Sequence, residues 1–307
     1  MSTNPILHHF EASPFAEKIR AVLGFKRMAW RSVQIPMAMP KPDVIALTGG
    51  YRRTPILQMG ADIYCDTALI AKVLDGLHAE PSLLPAASPM ATLVAAWADS
   101  TLFWQAIMNT QSPSARALIF QGLSPEAMQQ VRDDRAAFTS GLKRPSATDA
   151  AAQFQAALRS FEQALSQHPW LMGPAASIAD FSVYHCLWFI TCGGMADALL
   201  GPWPAVRAWY ARIAALGHGM RTEISSTEAI ALAACAGSHA AVQVAPGLGF
   251  AAGDTVKVAA TDYGTEGVTG TLVGLSVDSI TVARQDARAG SLHVHFPRMG
   301  FDLSQAG

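Results

Sequence analysis

The first eighty residues alternate strand-like and helical segments, and this alternation constrains the fold more than any other feature of the chain. Two short apolar runs, Ile6–Phe10 and Ser32–Ile35, flank Pro14–Phe25, where apolar residues recur at helical spacing. Two further runs on either side of Met59-Gly60-Ala61 predict a hairpin, and residues 66–77 predict a helix. The order βαβ followed by ββα is typical of an α/β domain.

The pattern changes twice farther along the chain. Residues 88–235 are rich in alanine and leucine at helical spacing and predict an all-helical domain. The helical periodicity breaks at residues 111–113, 143–145, 168–169 and 201–202. After a linker at 236–249, short strand-like runs separated by turns predict a small all-β domain, an SH3-like barrel. The sequence therefore predicts three domains, at 1–79, 88–235 and 250–307.

Composition excludes several classes of protein. Half of the residues are hydrophobic and 15% are charged, so the chain can bury a large core. The formal net charge of −1 lacks the basic excess with which a nucleic-acid binder meets phosphates. No uninterrupted apolar run reaches the roughly 18 residues of a membrane helix, and residues 1–5 lack the layout of a signal peptide. We therefore expect a cytoplasmic protein that binds neither nucleic acid nor a membrane.

No metal site is expected from the pattern of cysteine and histidine. The four cysteines are scattered without a Cys-x-x-Cys pair, which is typical of small buried side chains in a reducing compartment. They are Cys65, Cys186, Cys192 and Cys235. His293 and His295 share one face of a predicted strand, but the sequence shows no third ligand near them.

Four motifs occur in the order and at the spacings found in glutathione S-transferases, and together they resemble that family. They are Ser13-Pro14-Phe15-Ala16-Glu17-Lys18-Ile19-Arg20, Arg53-Thr54-Pro55-Ile56-Leu57, Asp66-Thr67-Ala68-Leu69-Ile70 and Ser177-Ile178-Ala179-Asp180-Phe181-Ser182. The first is most similar to the omega-like pattern, in which cysteine stands at the position of Ser13. The resemblance covers roughly residues 5–216. It implies a thioredoxin-like N-terminal domain that binds glutathione as co-substrate, followed by the family's helical domain.

Ser13 has two compatible interpretations. It precedes Pro14, which suits the first helical position, so Ser13 is a natural N-cap. The N-terminus of a helix also presents free N–H groups and the positive end of the helix dipole. A serine hydroxyl there can donate a hydrogen bond to a thiolate and lower the pKa of the thiol. The resemblance implies that Ser13 is the catalytic residue that stabilises the thiolate of glutathione.

The resemblance implies further contacts with glutathione at two loops. A cis Thr54–Pro55 bond lets the backbone of Thr54 pair with the cysteinyl part of glutathione, the alternative being a trans proline that opens an edge strand. Asp66 and Thr67 begin a helix, where both residue types serve as caps. The family assigns the γ-glutamyl carboxylate to Thr67 and the γ-glutamyl ammonium group to Asp66.

The glycyl carboxylate of glutathione needs a cation. Lys41, Arg52 and Arg53 lie in the segment that usually provides it in the family, and the sequence does not choose among them. Each such side chain is more often a solvated surface charge.

Two groups of residues in the helical domain are expected mainly to stabilise the fold rather than to take part in catalysis. Ser177 and Asp180 have the spacing of a capping box at the start of a buried helix, and His185 on that helix is expected to be a packed core histidine. Four residues at helical spacing occur in a segment that often lines the substrate pocket of the family, although core packing alone explains most of them. They are Phe103, Trp104, Ile107 and Met108.

The resemblance implies an enzyme that binds glutathione and a small hydrophobic electrophile and acts as a homodimer. Serine cannot form a mixed disulfide with glutathione, so we expect conjugation, isomerisation or dehalogenation rather than thiol–disulfide exchange. The alternative is a non-catalytic binding or scaffold protein whose C-terminal β domain mediates protein interactions. That domain lies outside the usual family plan. It could instead cap the substrate pocket or add to a dimer interface.

Overall fold

The computed structural model describes residues 4–306, and its N-terminal part confirms the predicted α/β order. The strands are β1 (Ile6–His9), β2 (Ala29–Gln34), β3 (Ile56–Met59) and β4 (Asp62–Cys65), and the helices are α1 (Pro14–Phe25), α2 (Pro42–Thr48) and α3 (Thr67–Leu77). Strand β1 pairs in parallel with β2 and antiparallel with β3, which pairs antiparallel with β4. Helix α2 lies in a segment for which the sequence predicted no element.

The middle of the chain is helical, as predicted. Its helices are α4 (Ala91–Trp97), α5 (Phe103–Asn109), α6 (Pro113–Ile119), α7 (Pro125–Phe138), α8 (Ala147–Leu165), α9 (Ile178–Ile190), α10 (Ala196–Leu200) and α11 (Pro204–Ala214). A π-helical turn, Ala98–Leu102, continues α4 into α5, and Thr191–Met195 joins α9 to α10 through a kink at Gly194, which has a left-handed conformation (φ 77°). The predicted breaks fall at or between the ends of these helices.

Helix α9 is the buried centre of the helical domain. The Asp180 carboxylate accepts hydrogen bonds from the Ser177 N–H (2.9 Å) and hydroxyl (3.0 Å), so the predicted capping box is present. Although no membrane segment was expected from the sequence, Ile178–Leu200 is long and apolar enough in composition to cross one. However, 56% of its most apolar window is buried inside the protein. Phe181 and Leu187 are fully buried in the core, as in the central helix of a water-soluble domain.

The predicted C-terminal strands are present, with one addition. They are β6 (Thr255–Ala260), β7 (Val268–Leu275), β8 (Ser279–Asp286), β9 (Gly290–Pro297) and β10 (Phe301–Gln305). The strands form an antiparallel meander in which β10, which the sequence did not predict, returns beside β6. The extra β domain is therefore part of the fold.

This C-terminal region continues the N-terminal sheet. Strand β9 runs parallel to β4, with Asp62 opposite His293 and Tyr64 opposite His295. The result is one ten-stranded sheet in the order β10-β6-β7-β8-β9-β4-β3-β1-β2-β5, where β5 is Met220–Glu223. Apolar side chains of both regions share one core, among them Ile6, Val33, Ile56, Ile63, Val256, Val282 and Val294. The C-terminal region is thus joined to the thioredoxin-like domain by backbone pairing and by common packing.

Residues 220–234 also return to the sheet. Strand β5 pairs in parallel with β2, and helix α12 (Ser226–Ala234) buries Ile230 in the shared core. The sequence assigned this stretch to the end of the helical domain. The exact division into three domains stays a prediction.

Candidate active site

Ser13 lies between β1 and α1 and begins the helix. Its N–H donates to the carbonyl of Phe10 (3.1 Å), and its Oγ accepts a hydrogen bond from the N–H of Ala16 (3.2 Å). The residue is 3% exposed. The bond to Ala16 uses a lone pair of the hydroxyl and leaves its proton. Ser13 can therefore cap α1 and donate to an anion at the helix N-terminus simultaneously.

Lys41 lies beside the Thr54–Pro55 bond, which is cis as predicted. The Lys41 Nζ donates to Thr54 Oγ1 (3.3 Å). Burial, reinforced by the nearby positive charge of Arg135, lowers the pKa of the Lys41 ammonium group to about 8. Lys41 makes no ion pair with any residue between 4 and 306. A buried ammonium group without a carboxylate partner is stabilised when an anionic ligand binds beside it.

Asp66 and Thr67 begin α3, as the capping interpretation requires. The Asp66 carboxylate accepts from the N–H of Ala68 (2.9 Å), and Asp66 has a left-handed backbone conformation (φ 74°). Burial raises the pKa of the Asp66 carboxyl group, against the opposing effect of the Ala68 N–H. Thr67 is 5% exposed, and its hydroxyl oxygen accepts a hydrogen bond from Lys18 Nζ (3.1 Å). The capping role of Asp66 is thus confirmed, while the predicted contacts with glutathione stay predictions.

A buried ionic cluster that the sequence analysis missed connects Thr67 to the helical domain. The fully buried Lys18 Nζ lies 2.6 Å from Asp99 Oδ2, and His185 Nε2 lies 2.9 Å from Asp99 Oδ1. Although burial acts against it, the positive charge of Lys18 and the hydrogen bond from His185 hold the pKa of the Asp99 carboxyl below its usual range. His185 is buried, as predicted, but it is also a hydrogen-bonding partner.

A cavity of about 710 Å³ lies in front of Ser13. One part of its lining, here named the thioredoxin-side wall, consists of Ser13, Lys41 and Thr54. A second part, here named the composite wall, consists of Trp104, Arg135, Phe138 and Tyr263. The predicted residues Arg53, Phe103 and Ile107 also line the cavity, whereas Pro55, Asp66, Thr67 and Met108, all in the described part of the chain, do not.

The C-terminal region completes the composite wall through the loop after β6. The Tyr263 ring lies edge-on to Trp104 and to Phe138, at 5.2 Å between ring centroids in each case. The Arg53 guanidinium stacks over Tyr263 (4.0 Å), pairs with the Asp262 carboxylate and donates to the Tyr263 carbonyl. Arg53 therefore holds this loop against the cavity. Nothing in the local sequence around Tyr263 indicated this role, because it depends on the pairing of β9 with β4.

A second cluster of polar side chains lies at the junction of β4 and β9. The ligand atoms of Asp62, His239 and His293 lie within 4.8 Å of one another. The rings of His239 and His293 stack almost in parallel, however, at 3.8 Å between centroids and 12° between planes. Lone pairs that lie in two parallel planes do not converge on one ion. The expectation that the protein has no metal site stays a prediction.

Comparison with known families agrees with this geometry. A family model described as the glutathione S-transferase N-terminal domain matches residues 7–82, and one described as the glutathione S-transferase C-terminal domain matches residues 126–212. No curated protein sequence matches the chain.

The solved structures that match this protein differ in how much of its chain they cover. A GST-like protein from Pseudomonas syringae is 39% identical, with a TM-score of 0.82 over 100% of both chains. A glutathione S-transferase from Rhodospirillum rubrum is 23% identical, with a TM-score of 0.51, and covers 68% of this chain and 87% of its own. The beta-etherase LigF from Sphingobium is 18% identical, with a TM-score of 0.51 over 69% and 96% of the two chains. The last two share the fold, and the first also shares the C-terminal strands.

Proposed function

Because this chain belongs to the glutathione S-transferase family, we propose that it binds glutathione along the thioredoxin-side wall and activates its thiol for attack on a small electrophile. The observation that carries this proposal is the position of Ser13. Its hydroxyl lies at the N-terminus of α1, faces a large cavity and keeps a proton to donate. The hydroxyl and the helix dipole both favour a thiolate over a thiol, and the thiolate is the nucleophile.

We propose the remaining contacts with glutathione from the motifs that the chain shares with the family and from the charges near the cavity. We assign the cysteinyl backbone to Thr54 at the cis Pro55, and the γ-glutamyl group to Asp66 and Thr67. We assign the glycyl carboxylate to Lys41, because its ammonium group is buried without a carboxylate partner among the described residues. Arg53 is the weaker candidate, since its guanidinium is already paired with Asp262.

The chemistry proposed for Ser13 is stabilisation of a thiolate that forms a new bond to carbon. Binding in one cavity brings the sulfur and the electrophile together, and the lowered thiol pKa supplies the nucleophile. A serine hydroxyl has no sulfur with which to form a mixed disulfide. Conjugation, isomerisation and dehalogenation are therefore the reaction types we propose, and thiol–disulfide exchange that depends on Ser13 is not among them.

A matched pair of serines tests this proposal. Ser124 is also an N-cap followed by proline, and its Oγ accepts from the N–H of Ala127 at 3.2 Å, as Ser13 Oγ does from Ala16. Each serine-to-alanine change should cost about 1 kcal/mol of stability through the lost cap. Only Ser13→Ala should lower the rate of conjugation of glutathione to chlorodinitrobenzene, by about 100-fold, since a donor to a developing or bound anion is lost.

Three outcomes would redirect the proposal. Retention on glutathione-agarose without turnover of any electrophile would favour the alternative of a binding or scaffold protein. No retention on glutathione-agarose would contradict both the proposed enzymatic activity and the assigned contacts with glutathione. Equal activity of Ser13→Ala and Ser124→Ala would reduce Ser13 to a helix cap.

We also propose a cytoplasmic homodimer. All four cysteines, which lie in the described part of the chain, are free thiols, which fits a reducing compartment. Three apolar side chains at helical spacing are exposed on one side of α4 and its N-terminal end, namely Met90, Leu93 and Trp97. Such a face is typical of an interface. Light scattering should find a dimer for the wild type and a monomer for Leu93→Glu; a monomeric wild type would contradict the assignment.

A further inference from the structure

Arg135 on α7 is a cation that faces the cavity without a partner. Among residues 4–306 its guanidinium makes no ion pair and no side-chain hydrogen bond. Its neighbours are the rings of Phe138 (5.9 Å) and Phe10 (6.0 Å). Burial lowers the pKa of the Arg135 guanidinium, because the charged form is less well solvated there than in water. Arginine is almost never fully buried without a partner, and this half-buried guanidinium has none among the described residues, so it fits a ligand that brings the anion.

The cavity as a whole has a surplus of positive charge. Seven of its lining side chains are basic and one, Asp134, is acidic. Arg52 is paired with Asp134 and Glu266, and Arg53 is paired with Asp262. The remaining cations of the helical domain, Arg116, Arg132, Arg135 and Arg144, make no ion pairs within the described residues.

Glutathione leaves part of this surplus unused. In the proposed arrangement Lys41 binds the glycyl carboxylate, and the γ-glutamyl group lies at the start of α3. Neither carboxylate is assigned to α7. Arg135 instead lies beside Phe138, whose ring packs on Tyr263 in the composite wall, where the second substrate would lie.

We propose, building on the function proposed above, that the second substrate is an aromatic acid whose carboxylate is bound by Arg135. A guanidinium presents parallel N–H groups that match the two oxygens of a carboxylate. The aromatic side chains of the composite wall provide faces and edges against which an aryl ring packs. Arg135 is then the residue that selects acidic over neutral electrophiles.

Direct binding tests this inference without requiring turnover. The probes are para-nitrobenzoate and nitrobenzene, which differ by the carboxylate, titrated into the full-length protein with the quenching of tryptophan fluorescence as readout. The wild type should bind the acid about tenfold more tightly than the neutral compound, as expected for a hydrogen-bonded ion pair. Arg135→Gln should lose that preference while its affinity for nitrobenzene stays the same and its affinity for glutathione does not fall, because Lys41 keeps its place and loses a neighbouring positive charge.

Two further variants separate charge from fold. Arg135→Lys should retain part of the preference, because the charge remains but the paired N–H geometry is lost. Arg159→Gln, on an exposed position of α8 outside the cavity, should behave as the wild type. Thermal unfolding should show little loss of stability for Arg135→Gln, since the guanidinium loses no ion pair or hydrogen bond and only distant contacts with the rings of Phe138 and Phe10.

The inference and the proposed function fail in different ways. Equal affinity of the wild type for the two probes, or a preference that survives in Arg135→Gln, would overturn the role of Arg135 even if glutathione is bound and conjugated. Weaker glutathione binding by Arg135→Gln would also overturn it, because Arg135 would then belong to the glutathione site. Loss of glutathione binding in the wild type itself would instead contradict the proposed function.

Discussion

The two walls of the cavity are built in different ways. Two of the three residues of the thioredoxin-side wall lie in short motifs: Ser13 caps α1, and Thr54 precedes Pro55. The composite wall gathers side chains from α5, α7 and the loop after β6, which are far apart in sequence. Under the proposed function, binding of glutathione then depends largely on short motifs, whereas the choice of the second substrate depends on how distant segments pack.

The largest effect is expected in the buried ionic cluster on α1, the helix that Ser13 caps, where Asp99 neutralises Lys18. Asp99→Ala leaves the fully buried Lys18 without its counter-ion, which should lower the free energy of unfolding by about 3–5 kcal/mol. Urea denaturation at neutral pH measures this. The control is Asp278→Ala, which removes an ion pair with Lys72 in which both side chains are more than half exposed, and should change stability little. Similar losses for both variants would mean that burial does not make the Lys18–Asp99 pair more important for stability than an exposed pair.

The second largest effect is a loss of folding stability at acid pH, which we expect to arise in β1, the strand before Ser13. Burial lowers the pKa of His8 on β1 to about 4, so the folded protein keeps His8 neutral while the unfolded chain takes up a proton near pH 6.5. Stability from this group is present above pH 6.5 and is lost as the pH falls towards 4, by on the order of 3 kcal/mol.

A pH series of urea denaturation checks the contribution of His8. His8→Gln retains a donor for the hydrogen bond to Gln58 Oε1 and should flatten the decline between pH 6.5 and 4. His168→Gln, at an exposed position, should keep the wild-type profile. A decline that is equally steep in all three proteins would assign the acid sensitivity to other groups.

The sequence predicted the thioredoxin-side wall better than the composite wall, for a physical reason. Caps and the cis proline are properties of a few adjacent residues, so Ser13 and Thr54 of this wall were found from local motifs, whereas the sequence did not choose Lys41 over Arg52 and Arg53. The partners Lys18 and Asp99 are 81 residues apart, and Arg53 is 209 residues from Asp262. Such contacts depend on tertiary packing, which periodicity does not encode. The pairing of β9 with β4 was missed for the same reason, although the strands themselves were expected.

The smallest of these effects should be confined to the composite wall. Tyr263→Ala removes the ring that packs on Trp104 and Phe138, so the KM for an aromatic electrophile should rise about tenfold, equivalent to about 1.4 kcal/mol. The KM for glutathione should not change. Val277→Ala, at a highly exposed position of the same C-terminal region, is the control for steady-state kinetics. An equal rise in the KM for glutathione would show that the two walls do not act separately.

The thiol pKa of bound glutathione tests the central claim most directly. It can be measured by titrating the ultraviolet absorbance of the thiolate in the complex with the wild type, Ser13→Ala and Ser124→Ala. Ser13 and the N-terminus of α1 should lower this pKa by at least about one unit relative to free glutathione in the wild type and in Ser124→Ala. In Ser13→Ala the pKa should return most of the way towards the free value. A bound thiol with the pKa of free glutathione, or one equally lowered without the Ser13 hydroxyl, would contradict the proposal.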